Sequence, residues 1–411
     1  MQYRKTVREI QSLELHRRAP VSIFSLFRPS TGPAPTRSWN ELMNRLFLIS
    51  LVLAGVLLAI PALSLPRFAS RTGLKCQSCH VDPSGGEMRQ TFGVQYGRDQ
   101  LPVPAWAKNS DLTDFSNVIT NILGVGADFR TIYYNRQLPD STRRDGLFQM
   151  QGDLYVNLRV AQKVFLYLNL NKGVSSGFDA FALMNVLPAS GHLKIGRFIP
   201  DYGTNLDDHT AYVRQYTKLS PEFDVVERTG AEAAVSPGAF TVLGGIYNAD
   251  EGGGIPSTNN KALLGRGEGM FKLSDRVSLG LGGNVFSTKS GIPGVSTTYY
   301  GGFGSFSAGA FTLLGEADWI RSSPAGVTTT GLATYTEADF MVTQGVDIKL
   351  AYDFYDQDIH YKTGSKSRYS IGVEFFPVSG VEIRPVYRIL RQQNPDIGTM
   401  KEFDLMLHLY L

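Results

Sequence analysis

The sequence has two cysteines in 411 residues, only 19% charged residues, and no long apolar run. So few cysteines exclude a disulfide-built scaffold. The longest apolar stretch, Leu46–Ile60, is fifteen residues, short of the roughly 20 that a helical membrane span needs. No basic patch with interleaved aromatics points to nucleic acid, and the formal net charge is only +3. No Ser–His–Asp set, phosphate loop or carboxylate pair stands out, so hydrolytic chemistry has no motif here. What the chain has in quantity is glycine (43) and aromatic residues (19 Tyr, 24 Phe).

Both cysteines fall in one hexapeptide, Lys75-Cys76-Gln77-Ser78-Cys79-His80. The pattern is C-x-x-C-H, that of covalent haem c attachment. Each thiol adds to a vinyl group of one porphyrin, and His80 follows as the proximal iron ligand. Three other readings fit less well. A thioredoxin-like redox pair wants a βαβ context, which is absent. Half a zinc site wants a second C-x-x-C or spaced histidines. A Cys76–Cys79 disulfide would close a tiny loop and add little stability.

Residues 1–42 are rich in Arg and Pro and lack a periodic apolar face. They read as disordered, or as upstream of a start at Met43. Residues 43–64 read as a signal peptide: Asn44-Arg45, the apolar run, then small residues before cleavage near Ser64. Export agrees with c-type haem, which is attached outside the cytoplasm. These first 64 residues carry a net +5, leaving the remainder near −2.

Residues 65–110 form the expected monohaem segment. Gly85-Gly86 lets backbone approach a flat ring, and Phe92 and Trp106 are candidates to pack on it. Met88, the segment's one methionine, is a tentative distal ligand; ordinary packing is the other reading. So short a segment cannot enclose a haem and build its own core. The rest of the chain is expected to supply the missing walls.

Residues 111–411 have a different texture. In Gly152–Ala161, Leu154, Val156, Leu158 and Val160 oppose Tyr155, Asn157 and Arg159. The same alternation recurs over Val346–Tyr355 and Val381–Leu390, and from Phe403 to Leu411. Period-two alternation over about ten residues, repeated, is the signature of an outer-membrane barrel, with one face in lipid and the other in a polar lumen. Sixteen such segments are expected, from 118–134 to 401–411, joined alternately by short turns and longer loops. The fold class is therefore all-β: an antiparallel transmembrane barrel of about 16 strands behind a short haem segment. Short turns mark the periplasmic end, which puts the haem segment there.

The longest loop, about 199–227, is expected to fold inward as a constriction. Asp207, Asp208 and His209 in it are a weak candidate metal site; loop hydrogen bonding is the plainer reading. His209 and His192 are less favoured candidates for the distal ligand. Lys194, Arg197 and Arg214 are candidate lumen charges.

A haem motif just behind an export signal, followed by such a barrel, resembles the fused outer-membrane cytochrome–porins, which include iron-oxidising members. The resemblance covers 65–411 as architecture. At motif level it covers the run FASRTGLKCQSCH from Phe68 to His80 and the later Phe92-Gly93. The sequence departs from the iron-oxidising pattern at Asp82–Arg89, and Phe92-Gly93 continues as Val94-Gln95. The resemblance implies electron transfer across the bacterial outer membrane. Outer-membrane lipid, a periplasmic cytochrome and an extracellular donor or acceptor such as Fe(II) would be the partners. If electron donation from a metal counts as catalysis, this is an iron(II):cytochrome oxidoreductase; otherwise it is a carrier. The alternatives are a porin for small solutes, with the haem as structural plug or redox gate, and a protein whose long loops dock an external partner.

Overall fold

Alternating side chains commit each strand to one lipid-like and one interior face, and the pairing closes on itself. The computed structural model describes residues 67–107, 116–172, 176–217, 227–249, 255–256, 258–289, 295–361, 364–393 and 398–411. The expected leader and signal segments, 1–42 and 43–64, lie outside them. The strands are β1 Leu123–Gln137, β2 Arg143–Ala161, β3 Val164–Lys172, β4 Ser176–Leu187, β5 Gly191–Phe198 and β6 Arg228–Val235. There follow β7 Phe240–Asn248, β8 Lys261–Ser274, β9 Val277–Lys289, β10 Ser296–Ala308 and β11 Phe311–Ser322. The last are β12 Thr329–Thr343, β13 Val346–Asp356, β14 Lys366–Phe375, β15 Val381–Gln392 and β16 Thr399–Tyr410.

Neighbours in sequence pair antiparallel throughout, and β1 pairs with both β2 and β16, giving a closed sixteen-stranded barrel. Closure leaves no strand edge unpaired. The expected strand count holds, and the connections alternate as expected except that the β3–β4 link is as short as the β4–β5 turn. The first strand begins later than expected because the chain turns at Thr120: the Ile119 and Thr120 amides donate to Leu123 O.

The alternation sets the two surfaces. Along β16, Phe403, Leu405, Leu407 and Leu409 are exposed, while Glu402, Met406, His408 and Tyr410 are buried. Along β13, Ile348 and Leu350 are exposed, while Asp347, Lys349 and Asp353 are buried. Such a surface suits lipid and would be an aggregation liability in water.

Buried carboxylates and guanidinium groups have to be covered, and the chain covers them with itself. Ahead of the barrel come α1 (Arg67–Thr72), a 3-10 turn at Cys76–Ser78, α2 (Thr91–Asp99) and α3 (Pro104–Ala107). This segment lies against the barrel's inner wall and its short-turn end. The Val103 amide donates to Phe376 O at 2.9 Å, Gln344 Nε2 to Asp99 O at 3.2 Å and Pro102 O at 3.0 Å, and Ser379 Oγ to Arg98 O at 2.9 Å. It belongs to the same compact unit as the barrel. The segment is a plug.

Candidate functional site

Residues 75–80 form one tight turn. The Cys79 and His80 amides both donate to Cys76 O at 3.0 Å, and the Ser78 amide donates to Lys75 O at 3.0 Å. Cys76 and Cys79 are free thiols. The chain then reverses: His80 bridges Arg89, and the Val81 amide donates to Met88 O at 2.9 Å. Two glycines make the reversal, Gly85 at φ +94° and Gly86 at φ +77°. A Cβ on Gly85 would lie 3.0 Å from Cys76 Sγ, so the bare backbone there serves close approach to the thiol as well as turn geometry. Gly93 lets α2 pack on the motif, because a Cβ there would lie 2.2 Å from Cys79 O.

His80 is half-buried, with Nδ1 shielded from solvent and unpartnered. Burial and the nearby Arg89 lower its pKa to about 4, so the imidazole is neutral, as a metal ligand must be. Free thiols three residues apart, a neutral histidine with an unpartnered ring nitrogen, and bare backbone beside the first thiol fit a covalently held haem. Cys76, Cys79 and His80 are the residues that would hold it.

The plug is anchored from nearly every side of the wall. Arg67 meets Asp339 at 3.4 Å and pairs with Glu374, and Arg71 Nη2 meets Asp347 Oδ1 at 2.6 Å. Lys75 Nζ donates to Phe240 O at 2.8 Å. Asp82 accepts from Lys194 at 3.2 Å, and Lys194 also meets Glu232 at 3.0 Å. Arg89 lies 3.6 Å from Asp128 and 4.4 Å above the Tyr410 ring. The Met88 amide donates to Tyr167 Oη at 3.3 Å. Burial pushes the Glu87 carboxyl up to about 7.

The loop between β5 and β6 folds inward as expected, with α4 (Tyr212–Thr217) along it. Tyr202 Oη donates to Asp318 Oδ1 at 2.8 Å, and the Thr204 amide to Glu316 Oε2 at 2.8 Å. The Tyr212 amide donates to Asp353 Oδ1 at 2.8 Å. Asn205 Nδ2 reaches the plug, donating to Gly85 O at 2.9 Å. Between this loop and β12–β15 lies a small cavity lined by Asp208, Tyr335, Lys349, Glu374, Arg384 and Arg388.

The suggested loop metal site is corrected. Asp207 turns to Lys349 and Arg67, Asp208 to Arg368 at 3.2 Å and Arg388 at 3.1 Å, and His209 Nε2 to Arg130 Nη1 at 3.0 Å. Among the described residues no group of three or more His, Cys, Asp and Glu is arranged to hold a metal ion. Burial favours the neutral form of Asp208, but Arg368 and Arg388 overcome it and hold the carboxyl well below its usual range.

The distal-ligand candidates are dispersed. Met88 is 2% exposed, packs with Val81, Tyr155 and Tyr167, and lies against Gly124 of β1. In a paired reversal adjacent residues point to opposite faces, so Met88 and His80, which pairs with Arg89, lie on opposite faces of the reversal. His209 is held by Arg130, and His192 is buried on β5 near Lys194 and Asp82. The groups around His80 are Arg89, Asp128 and the backbone of Gly86 and Glu87. Phe92 is exposed on α2, and Trp106 packs 5.4 Å from Phe375 at the barrel rim.

No family model matches the chain, and no curated protein matches it in sequence. Solved structures do match in fold. OmpT, an outer membrane protein of Vibrio cholerae, is 12% identical and superposes with a TM-score of 0.52, covering 72% of this chain and 100% of its own. An anion-selective porin from Comamonas acidovorans is 12% identical, with a TM-score of 0.51, covering 70% of this chain and 99% of its own. The barrel is porin-like. The likeness concerns fold alone.

Sequence reasoning placed Lys194 inside the lumen but missed its partner Asp82. It also missed the anchors Arg67, Arg71 and Arg89, which look like ordinary soluble-segment cations until strands surround them. Inward-facing Tyr155 and Tyr167 were visible in the alternation, and their aromatic character was the available signal.

Proposed function

We propose that this is a bacterial outer-membrane barrel of porin architecture whose lumen carries a haem c plug, and that it moves electrons between the two sides of the membrane. The observation that carries this reading is the seating of Cys76–His80 inside the barrel wall by Arg67, Arg71, Asp82 and Arg89. Bound haem supplies a one-electron couple. The chain's own part is to attach it through Cys76 and Cys79, present the neutral His80, and exclude bulk water with the plug and inner loop. A periplasmic cytochrome would be the partner at the short-turn end, and a metal ion such as Fe(II) the partner outside.

A second reading has its own support. The fold neighbours named above are a porin and an outer membrane protein, which speaks more directly for a channel for small solutes, with the plug as structural element or redox gate. A small cavity beside Arg384 and Arg388, between the inner loop and the wall, is open space on that side.

One preparation tests both. Detergent-extracted protein should show a c-type spectrum that survives acid–acetone extraction, and Fe(II) should reduce it. Planar-bilayer conductance should stay low whether the protein is oxidised or reduced. A covalent haem that Fe(II) leaves oxidised, with conductance that changes on reduction by dithionite, would favour the gated channel. Absence of covalent haem would overturn the first reading.

A further inference from the structure

Three buried oxygens at the seam between plug and wall have no donor. Asn169 of β3 and Asp179 of β4 stand directly opposite one another and are 3% and 4% exposed. Glu87 reaches them from the plug, its Oε1 accepting from Asn169 Nδ2 at 3.2 Å. That bond fixes the amide, so Asn169 Oδ1 can only accept. Asn169 Oδ1, Asp179 Oδ1 and Glu87 Oε2 are all buried without a hydrogen-bond partner. The Glu87 carboxyl is within hydrogen-bonding reach of the Asp179 carboxyl and of the Tyr167 hydroxyl, so without an ion the two carboxyls have to share a proton.

The surroundings add more acceptors. Asp153 and Asn171 face each other across β2 and β3, and each has an unpartnered Oδ1. The nearby cations are engaged elsewhere: Lys194 with Asp82 and Glu232, Arg89 with Asp128, and Arg197 with Glu227. Burying carboxylates without a counter-charge is costly. A water could donate to two of these oxygens, and a proton held between Glu87 and Asp179 would remove one charge, but both would leave Asn169 Oδ1 or a carboxylate oxygen unmatched.

We propose that Glu87, Asp179 and Asn169 bind a hard divalent cation, Ca²⁺ or Mg²⁺, that fastens the plug to the lumen wall. Donors that are all oxygen, two of them carboxylates and one an amide, suit these ions. Zinc and copper would call for the nitrogen or sulfur donors missing here. The remaining coordination positions are left to water. The ligands come from the plug loop and two adjacent strands, so the ion is a staple between two parts of the fold. The site is independent of whether haem is attached.

The test uses the full chain, purified from membranes in detergent and stripped with a chelator. Isothermal titration with CaCl₂, and separately with MgCl₂, should show one ion per chain for at least one of them. The isosteric variants Asp179→Asn and Glu87→Gln should each bind at least tenfold more weakly. Asn169→Asp, which adds a charge, should bind at least as tightly as the parent. Asp275→Asn, on an exposed turn far from the plug loop in sequence, should bind unchanged. Heat-modifiable migration on SDS gels reports that each barrel is folded. If Asp179→Asn fails that check, the ion's elevation of the thermal midpoint, present in the parent and lost in Glu87→Gln, decides the question. Absence of a saturable single site, or parental affinity in both Asp179→Asn and Glu87→Gln, would overturn the proposal and leave the oxygens to water and a proton shared by the two carboxyls.

Discussion

Along β2–β10 the lumen wall carries a continuous chain of rings among its charges; along β12–β16 and β1 linked charges run without such a chain. On the first side the rings form a chain: Tyr155–Tyr167, Tyr167–Phe181, Phe181–Phe198, Phe198–Tyr247, Tyr247–Phe286 and Phe286–Tyr299, with centroids 4.9–6.4 Å apart. Val81 and Met88 of the plug join the same apolar cluster. On the second side, Asp207 and Asp208 of the inner loop and Arg67 of α1 are held by Lys349, Arg368, Arg388, Glu374 and Asp339. Apolar burial is non-directional and scales with area, so the ring side gives the plug adhesion. Paired charges in a low dielectric are directional and costly to break singly, so the charged side gives the loop its position.

The sharpest way to break this division is to remove one charge from the second side. Arg368 Nε donates to Asp353 Oδ2 at 2.9 Å, and its Nη groups reach Asp208 and Thr210. Arg368→Ala strands Asp353, which is 0% exposed, and should destabilise the seated loop by about 3–5 kcal/mol. Single-channel conductance should rise, while proteolytic protection of the plug should hold. Loss of plug protection in this variant would show that the two sides do not act separately.

A smaller change tests the ring side. Tyr167 Oη accepts the Met88 amide and lies within hydrogen-bonding reach of the Glu87 carboxyl, so Tyr167→Phe keeps the ring contacts and removes these polar contacts to the plug. The stranded amide should cost about 1–3 kcal/mol, read as faster proteolysis within 81–89 and a lower thermal midpoint, with conductance unchanged. A conductance change as large as that of Arg368→Ala would erase the distinction.

The barrel was legible in the sequence because strand alternation is local: Leu154 and Tyr155 declare opposite faces without reference to any partner. The inward fold of the described part of the β5–β6 loop, 199–217, was legible from the loop's length and place. The fate of Asp207, Asp208 and His209 was not. Adjacent acidic and histidine residues read as a ligand set, but the three side chains go to Arg67 and Lys349, to Arg368 and Arg388, and to Arg130, partners far away in sequence. Met88 likewise shows eight-residue spacing from His80 but not the reversal at Gly85-Gly86 that turns it to the wall. The aromatic filling of a lumen expected to be polar was missed for the same reason. A Tyr facing inward reads as pore lining until a plug is known to cover it.

The mildest probe of the charged side is pH. His209 accepts from Arg130 and lies near Arg384, Arg214 and Asp208; burial and then Arg130 lower its pKa to about 3. A released loop would let the same imidazole take a proton near its ordinary value of about 6.5. The seated state therefore binds fewer protons than the released one. Its stability is unaffected above pH 6.5 and falls below it, by at most about 1.4 kcal/mol per pH unit. Asp208 remains charged over that window, since its own pKa lies well below 3.8. Conductance fluctuations should thus grow between pH 6.5 and 5 in the parent and stay flat in His209→Gln. Equal growth in both would move the acid response to another group and leave Arg130 without this role in positioning the loop.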